Sequence, residues 1–175
     1  MRAVIIGSSG GIGAALCEQL AARDSVSAVY ALSRAGEEPS GAKIIALPLD
    51  VKNEDSIADA AQAIAADGAP DLVSGAAGIL SDENGLMPEK SLRQQSADAF
   101  ETVFAVNTIG PALVAKHFLP IMPRKARAVF AALSARVGSI SDNRIGGWHA
   151  YRASKAALNM LIRNYAIEQA RRNEA

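Results

Sequence analysis

The sequence predicts an α/β fold: a doubly wound parallel sheet of five strands with helices on both faces. Three observations carry this. Short apolar runs alternate almost strictly with stretches of helical spacing, the pattern of parallel strands joined by right-handed crossovers. A glycine-rich turn, residues 7–13, stands between the first apolar run and the first helical stretch. Half of the 175 residues are hydrophobic, enough to bury a core without disulfide or metal staples. One domain over residues 1–175 is expected.

The elements follow in order. Residues 3–6 form a continuous, largely β-branched run ended by Gly7, a buried-type strand. Residues 12–23 read as a helix with Ile12, Leu16, Cys17 and Leu20 on one face. Residues 27–33 are the second strand, and residues 34–41, rich in Gly, Pro, Ser and Glu, are a loop. Residues 43–49 are the third strand. Residues 53–66 take helical spacing from Asp55, Ile57, Ala60, Ala61 and Ile64. The fourth strand, from residue 71 to 74, is short and ends in glycine. Residues 81–96 are polar and mostly irregular. Residues 97–119 form a long helix with Gly110-Pro111 inside, where the missing backbone donor predicts a kink. Pro120 and Pro123 end it. Residues 128–133 are the fifth strand, 134–147 a loop, and 151–170 a final helix.

Composition excludes several classes. Lys plus Arg equals Asp plus Glu at 18 each, which argues against nucleic-acid binding through bulk charge and gives no support for a membrane surface. The single Cys17 excludes an internal disulfide framework and a cysteine zinc cluster, and reads as a core residue. No apolar run reaches the roughly 18 residues of a membrane span. The N-terminal run breaks at Gly7, too early for a signal peptide, so a cytoplasmic protein is expected. His117 and His149 have no carboxylate cluster with them, and no metal is expected. His117 is placed at a helix end, where the dipole favours it.

Three local motifs carry chemistry. In Gly7-Ser8-Ser9-Gly10-Gly11-Ile12-Gly13 the glycines at 7, 11 and 13 permit a tight turn and close ligand approach. The helix N-terminus that follows offers N–H groups to a pyrophosphate, as in Rossmann-type folds. After the second strand, where NAD-selective sites usually hold an acid, stand Ser33 and Arg34, with Glu37 later. An arginine there can pair with a 2′-phosphate, which favours NADP(H) over NAD(H). In Tyr151-Arg152-Ala153-Ser154-Lys155 the tyrosine and lysine lie one helical turn apart on one face. A neighbouring ammonium favours the phenolate, and the pair can then shuttle a proton near neutral pH. Trp148 and His149, just before Tyr151, are candidates for a pocket wall or for plain packing.

With these pieces in one order, the chain resembles the short-chain dehydrogenases/reductases. The matching residues are Gly7-x3-Gly11-x-Gly13, Asp50-Val51, Gly75-Ala76-Ala77-Gly78, Asn107 and Tyr151-x3-Lys155, spread over almost the whole chain. Pro88-Glu89-Lys90-Ser91-Leu92, Phe104-Ala105-Val106-Asn107-Thr108 and residues 138–143 look like the C-factor-like branch. The resemblance implies reduction of a small-molecule carbonyl, or oxidation of an alcohol, with a nicotinamide dinucleotide. It implies Tyr151 as acid and base. Lys155 would lower the tyrosine pKa and hold the nicotinamide ribose. Asn107 would keep the long helix bent and hold a relay water, and Asp50 would contact the adenine. Val51, Ala76, Ala77 and Gly78 would stand beside the adenosine half, although the family usually has asparagines at positions 75 and 76. Ser9 and Ile12 belong to the phosphate turn. A homodimer or homotetramer through the long helix and the Tyr151 helix is also implied.

Two departures qualify this. The family serine normally stands three residues before a glycine after the fifth strand, but the residue three before Gly138 is Ala135. Ser134, one position early, is the favoured candidate. Ser139 is the substitute, and a site without that donor is the third option. The family also continues past the Tyr-Lys helix with further strands, a nicotinamide-covering loop and a substrate lid, which are missing after residue 175. The alternative reading is therefore a catalytically weak or inactive dinucleotide-binding signalling or interaction module, or a fragment of a longer enzyme.

Overall fold

The computed structural model describes residues 1–37 and 39–174; Glu38, in the expected 34–41 loop, and Ala175 lie outside the described residues. The chain divides into two compact units, Met1–Ala77 with Leu113–Leu133, and Gly78–Ala112 with Ser134–Ala175.

The first unit holds the whole sheet. Its strands are β1 (Arg2–Ile6), β2 (Ala28–Ser33), β3 (Ile44–Pro48), β4 (Leu72–Gly75) and β5 (Val129–Ala132). They pair in parallel in the order β3-β2-β1-β4-β5. Such a sheet is covered on both faces, which is why its strands read as unbroken apolar runs. Side chains alternate along β1. Val4 and Ile6 join a cluster with Ile57, Ala60, Ala61 and Ile64 of α2 (Glu54–Asp67) and with Val114, Phe118 and Met122. Ile5 joins Cys17 of α1 (Gly11–Ala21), Val26, Val29 and Ala31, with Leu16 and Leu20 against them. Helices therefore flank both faces, as expected. Cys17 is buried, and burial pushes its thiol up to about 11, consistent with a core residue rather than a reactive one.

Ile12 departs from expectation: it is 62% exposed. At 3.6 residues per turn it lies about 140° around the helix from Cys17, and the buried stripe is centred on Gly13 and Cys17 instead.

Asn53 caps α2, its Oδ1 accepting the N–H groups of Asp55 and Ser56 at 3.0 and 3.3 Å. At the start of α2, Glu54 Oε1 accepts from Lys116 Nζ at 2.5 Å and from His117 Nε2 at 3.0 Å. His117 does stand in the last turn of its helix, α4 (Gly110–Phe118). Lys116 first, then His117, hold the Glu54 carboxyl below its ordinary 4.5. A carboxyl pKa lower in the folded than in the unfolded chain adds stability above the unfolded value and loses it as pH falls through the folded one. Glu54→Gln is therefore expected to flatten the fall of Tm with acidification below about pH 4.5. Thermal melts across that range check it, and identical slopes for both proteins would refute the contact's role.

In the second unit, α3 (Ala97–Phe104) packs on α5 (His149–Glu174), and residues Ala105–Ile109 form a π turn between α3 and α4. The expected break at Gly110-Pro111 thus falls just ahead of the proline. Pro111 has no N–H to give and its ring would press on the carbonyl of residue 107, so widening the preceding turn relieves both problems. Residues 149–174 extend the final helix beyond the expected 151–170 at both ends.

One sequence expectation needs correcting. The helical stretch Ala97–Ile121, 25 residues with a window of mean hydropathy 1.2, is long and apolar enough to cross a membrane by length and composition. Part of its apolar surface packs within the protein. Val103 of the second unit and Val114, Ala115 and Phe118 of the first are buried, and buried Asn107 and Thr108 bond to protein groups.

Candidate functional site

The first unit carries the glycine turn. Gly7 sits at φ +86°, and the N–H groups of Gly7 and Ser8 both donate to the Leu32 carbonyl, at 2.8 and 3.0 Å. A Cβ on Gly13 would lie 2.1 Å from the Gly7 oxygen, so only glycine fits where α1 crosses the turn. Gly11 is the opposite case, with nothing within 4 Å of an added Cβ. Gly10 caps α1 without any side-chain hydrogen bond, and no acidic residue stands in the first turn. The first-turn N–H groups thus face an open, uncapped end where an anion is favoured. Ser9 and Ile12 are exposed beside it.

The other first-unit candidates lie at the C-terminal ends of strands or just beyond. Ser33 is buried, its hydroxyl accepting the Gly36 N–H at 3.1 Å, so it shapes the turn that presents the exposed Arg34. Among the described residues Arg34 makes no ion pair. Asp50 donates its N–H to Ser56 Oγ and accepts the Lys52 N–H on Oδ1, while Val51 packs against the core. Ala76 donates its N–H to the Ile6 carbonyl at 2.7 Å, and a Cβ on Gly7 would meet the Ala77 nitrogen at 2.7 Å, which keeps this loop close to the glycine turn.

The second unit carries the polar cluster. Asn107 is fully buried. Its amide donates to the Ile79 carbonyl at 2.8 Å and to Ser154 Oγ at 3.3 Å, and its Oδ1 accepts the Ile79 N–H at 2.8 Å. Thr108 Oγ1 donates to the Ser154 carbonyl, and Ser154 Oγ donates to the Tyr151 carbonyl. The π turn is thereby tied to the first turns of α5. Lys155 is 3% exposed, and burial pulls its pKa below the ordinary 10.5. Its Nζ lies 5.8 Å from the Tyr151 ring centroid. A Cβ on Gly78 would stand 3.4 Å from both Lys155 Nζ and Asn107 Oδ1, so Gly78, Asn107 and Lys155 meet at one place.

Gly138 packs onto the same helix, a Cβ there falling 2.8 Å from Lys155 Cβ. The Arg136–Gly138 turn before it is closed by the Gly138 N–H on the Ala135 carbonyl. Ser134 is exposed. Ser139 Oγ accepts the Asp142 N–H at 3.3 Å and lies 3.4 Å from Ser141 Oγ, so it is engaged within its own loop. Trp148 meets Tyr151 edge-on, ring centroids 6.3 Å apart, and His149 opens α5. Glu89 is buried and bonds the start of α5. The signal for it was indirect: no Ser, Thr, Asp or Asn directly precedes that helix, so its cap must come from elsewhere. Among the described residues no group of three His, Cys, Asp or Glu could hold a metal ion.

The chain has relatives among known proteins and solved structures. The NADPH-bound carbonyl reductase from chicken fatty liver superposes with a TM-score of 0.81 at 25% identity, covering 95% of this chain and 70% of that one. An uncharacterized oxidoreductase of Schizosaccharomyces pombe is 28% identical over 174 residues, 95% of this chain. C-signal of Myxococcus xanthus is 40% identical over 65 residues, 37% of this chain. The matches span 66% and 39% of those two relatives' own lengths. The family model for short chain dehydrogenase matches residues 1–173, and the chain belongs to the short-chain dehydrogenase family.

Proposed function

We propose that the chain interconverts a small-molecule carbonyl and its alcohol with NADP(H), using Tyr151 as acid and base and Lys155 as its activator. The observation that carries this reading is the Lys155 ammonium, 3% exposed and 5.8 Å from the Tyr151 ring, beside Gly78 and Asn107. A buried cation favours the anionic form of a neighbouring phenol, which eases loss and return of its proton. In reduction Tyr151 gives its hydroxyl proton to the carbonyl oxygen; in oxidation it takes one. Asn107 holds the π turn against residue 79 and α5, and so keeps Lys155 in place. Ser134 is the hydroxyl that would polarise the carbonyl, being exposed where Ser139 is engaged.

The residues of the first unit fit a dinucleotide. The uncapped start of α1 and the open face of Gly11 suit a pyrophosphate, with Gly7, Ser9, Ile12 and Gly13 around it. Asp50, Val51, Ala76 and Ala77 are assigned to the adenosine half. When bound, the nicotinamide supplies the hydride. Exposed Ile109 and Met160 support pairing with a second copy of the chain.

Exposed Arg34 supports the preference for NADP(H) through its 2′-phosphate. Arg34→Ala is expected to weaken NADPH binding about tenfold and leave NADH binding unchanged. An equal loss for both cofactors would sink the selectivity assignment. The activity itself is tested with an aldehyde and ketone panel and NADPH, where a kcat of about 1 per second or more is expected. NADPH binding without turnover would establish the binding-module reading instead, which the displaced serine motivates.

A further inference from the structure

Helix α5 begins without a cap of its own. The residues before it are Gly146, Gly147 and Trp148, all three at positive φ (71°, 65° and 51°), and Trp148 is the one non-glycine described residue in that region. A left-handed tryptophan is costly and persists only where neighbours over-determine it. Here the neighbour is Glu89. Its backbone carbonyl accepts the Trp148 N–H at 2.5 Å, and its carboxylate oxygens lie 3.2 and 3.4 Å from the Ala150 nitrogen, accepting that N–H. Glu89 is 4% exposed and is the one acid among the buried polar residues described. A charge is buried at such cost only with compensating partners, and a helix N-terminus is one that favours an anion. A small cavity lined by Leu86, Glu89, Val103, Ala150 and Tyr151 sets this acid next to the tyrosine.

We propose that Glu89 is a positioning residue for Tyr151: from 61 positions upstream it caps α5, holds Trp148 left-handed, and so fixes the helix start from which the tyrosine projects. This rests on the carbonyl-reductase reading only for what Tyr151 then does. Both bonds from Glu89 fall on residues within three positions of Tyr151, so a shift of the first turn is a shift of the phenol. Ser154, donating to the Tyr151 carbonyl, and Lys155 hold the helix one turn further on and would stay. The structural consequence is therefore local, at the reacting hydroxyl.

Three variants test this. Glu89→Ala removes the carboxylate. Glu89→Asp keeps the charge but withdraws it by one methylene. Glu89→Gln keeps an acceptor at the same reach without the charge. The Ala and Asp variants are expected to lose at least about tenfold in kcat, toward the 10²-fold that a misplacement of about 1 Å costs. Their KM for NADPH is expected to stay within about twofold. The Gln variant is expected to recover kcat to within about threefold of wild type. A second readout needs no turnover. Trp148 is the chain's one tryptophan, edge-on to Tyr151 at 6.3 Å, so its emission maximum and near-UV circular dichroism report the start of α5. In the Ala and Asp variants that signal should shift, and in Gln it should match wild type.

Wild-type kcat and an unaltered Trp148 signal in Asp and Ala would overturn the proposal, as would a Gln variant that falls as far as Ala. If Ala does not fold, the Asp and Gln pair decides. If wild type reduces no carbonyl, the functional reading fails, and the Trp148 signal alone decides the positioning role.

Discussion

Tyr151→Phe is expected to remove carbonyl reduction while leaving the fold and NADPH binding intact. The ring keeps its edge contact with Trp148 and its place beside the Lys155 ammonium, since neither contact uses the hydroxyl. The backbone carbonyl of Tyr151 still accepts from Ser154, so the first turns of α5 stay tied. What is lost is the proton. General acid–base groups contribute about 10²–10⁴-fold, and kcat should fall by that range. Rate assays following NADPH oxidation, with binding measured separately, check this. Turnover within a few fold of wild type would take the acid role away from Tyr151 and leave the pair as a packing feature of α5.

The parts that sequence made legible are those whose physics is local. Parallel strands buried on both faces are continuous apolar runs, so all five are read with no end off by more than one residue. The glycine turn and the Tyr-Lys spacing were equally readable, because each is a few residues obeying one geometric rule. The failures are non-local or depend on fine angle. Ile12 looked buried because it shares spacing with Leu16 and Leu20, yet a modest rotation of the stripe toward Gly13 and Cys17 leaves it in solvent. Gly110-Pro111 signalled a break but not its form. The π turn ahead of it is held by Asn107 on Ile79, 28 positions away. The missing local cap of α5 is legible, but Glu89 as the residue that supplies it is not, because its partner stands 61 residues downstream. The serine question is of the same kind: Ser134 and Ser139 differ in which hydroxyl the loop itself consumes, and only the folded loop shows that Ser139 bonds Asp142.

Two glycines of the same turn, Gly11 and Gly13, give the second large prediction, because an added Cβ meets opposite surroundings at each. Gly13→Ala would force a Cβ to within 2.1 Å of the Gly7 oxygen, a backbone atom held by a turn whose N–H groups are spent on Leu32. That atom cannot yield without pulling the turn off β2. Overpacking of this kind costs about 1–3 kcal/mol or more, a fall in Tm of roughly 2–12 °C for a chain of this size. NADPH binding should be lost with the turn. Gly11→Ala meets nothing within 4 Å, and alanine is the better helix former, so Tm should hold or rise slightly. Its methyl would instead stand over the uncapped start of α1, where the pyrophosphate is assigned, and NADPH affinity should fall about tenfold. Thermal melts and NADPH titrations on both variants separate the tasks. If Gly11→Ala binds NADPH as wild type does, the dinucleotide does not approach the chain at that turn; if Gly13→Ala melts as wild type does, the turn is not the rigid element its contacts describe.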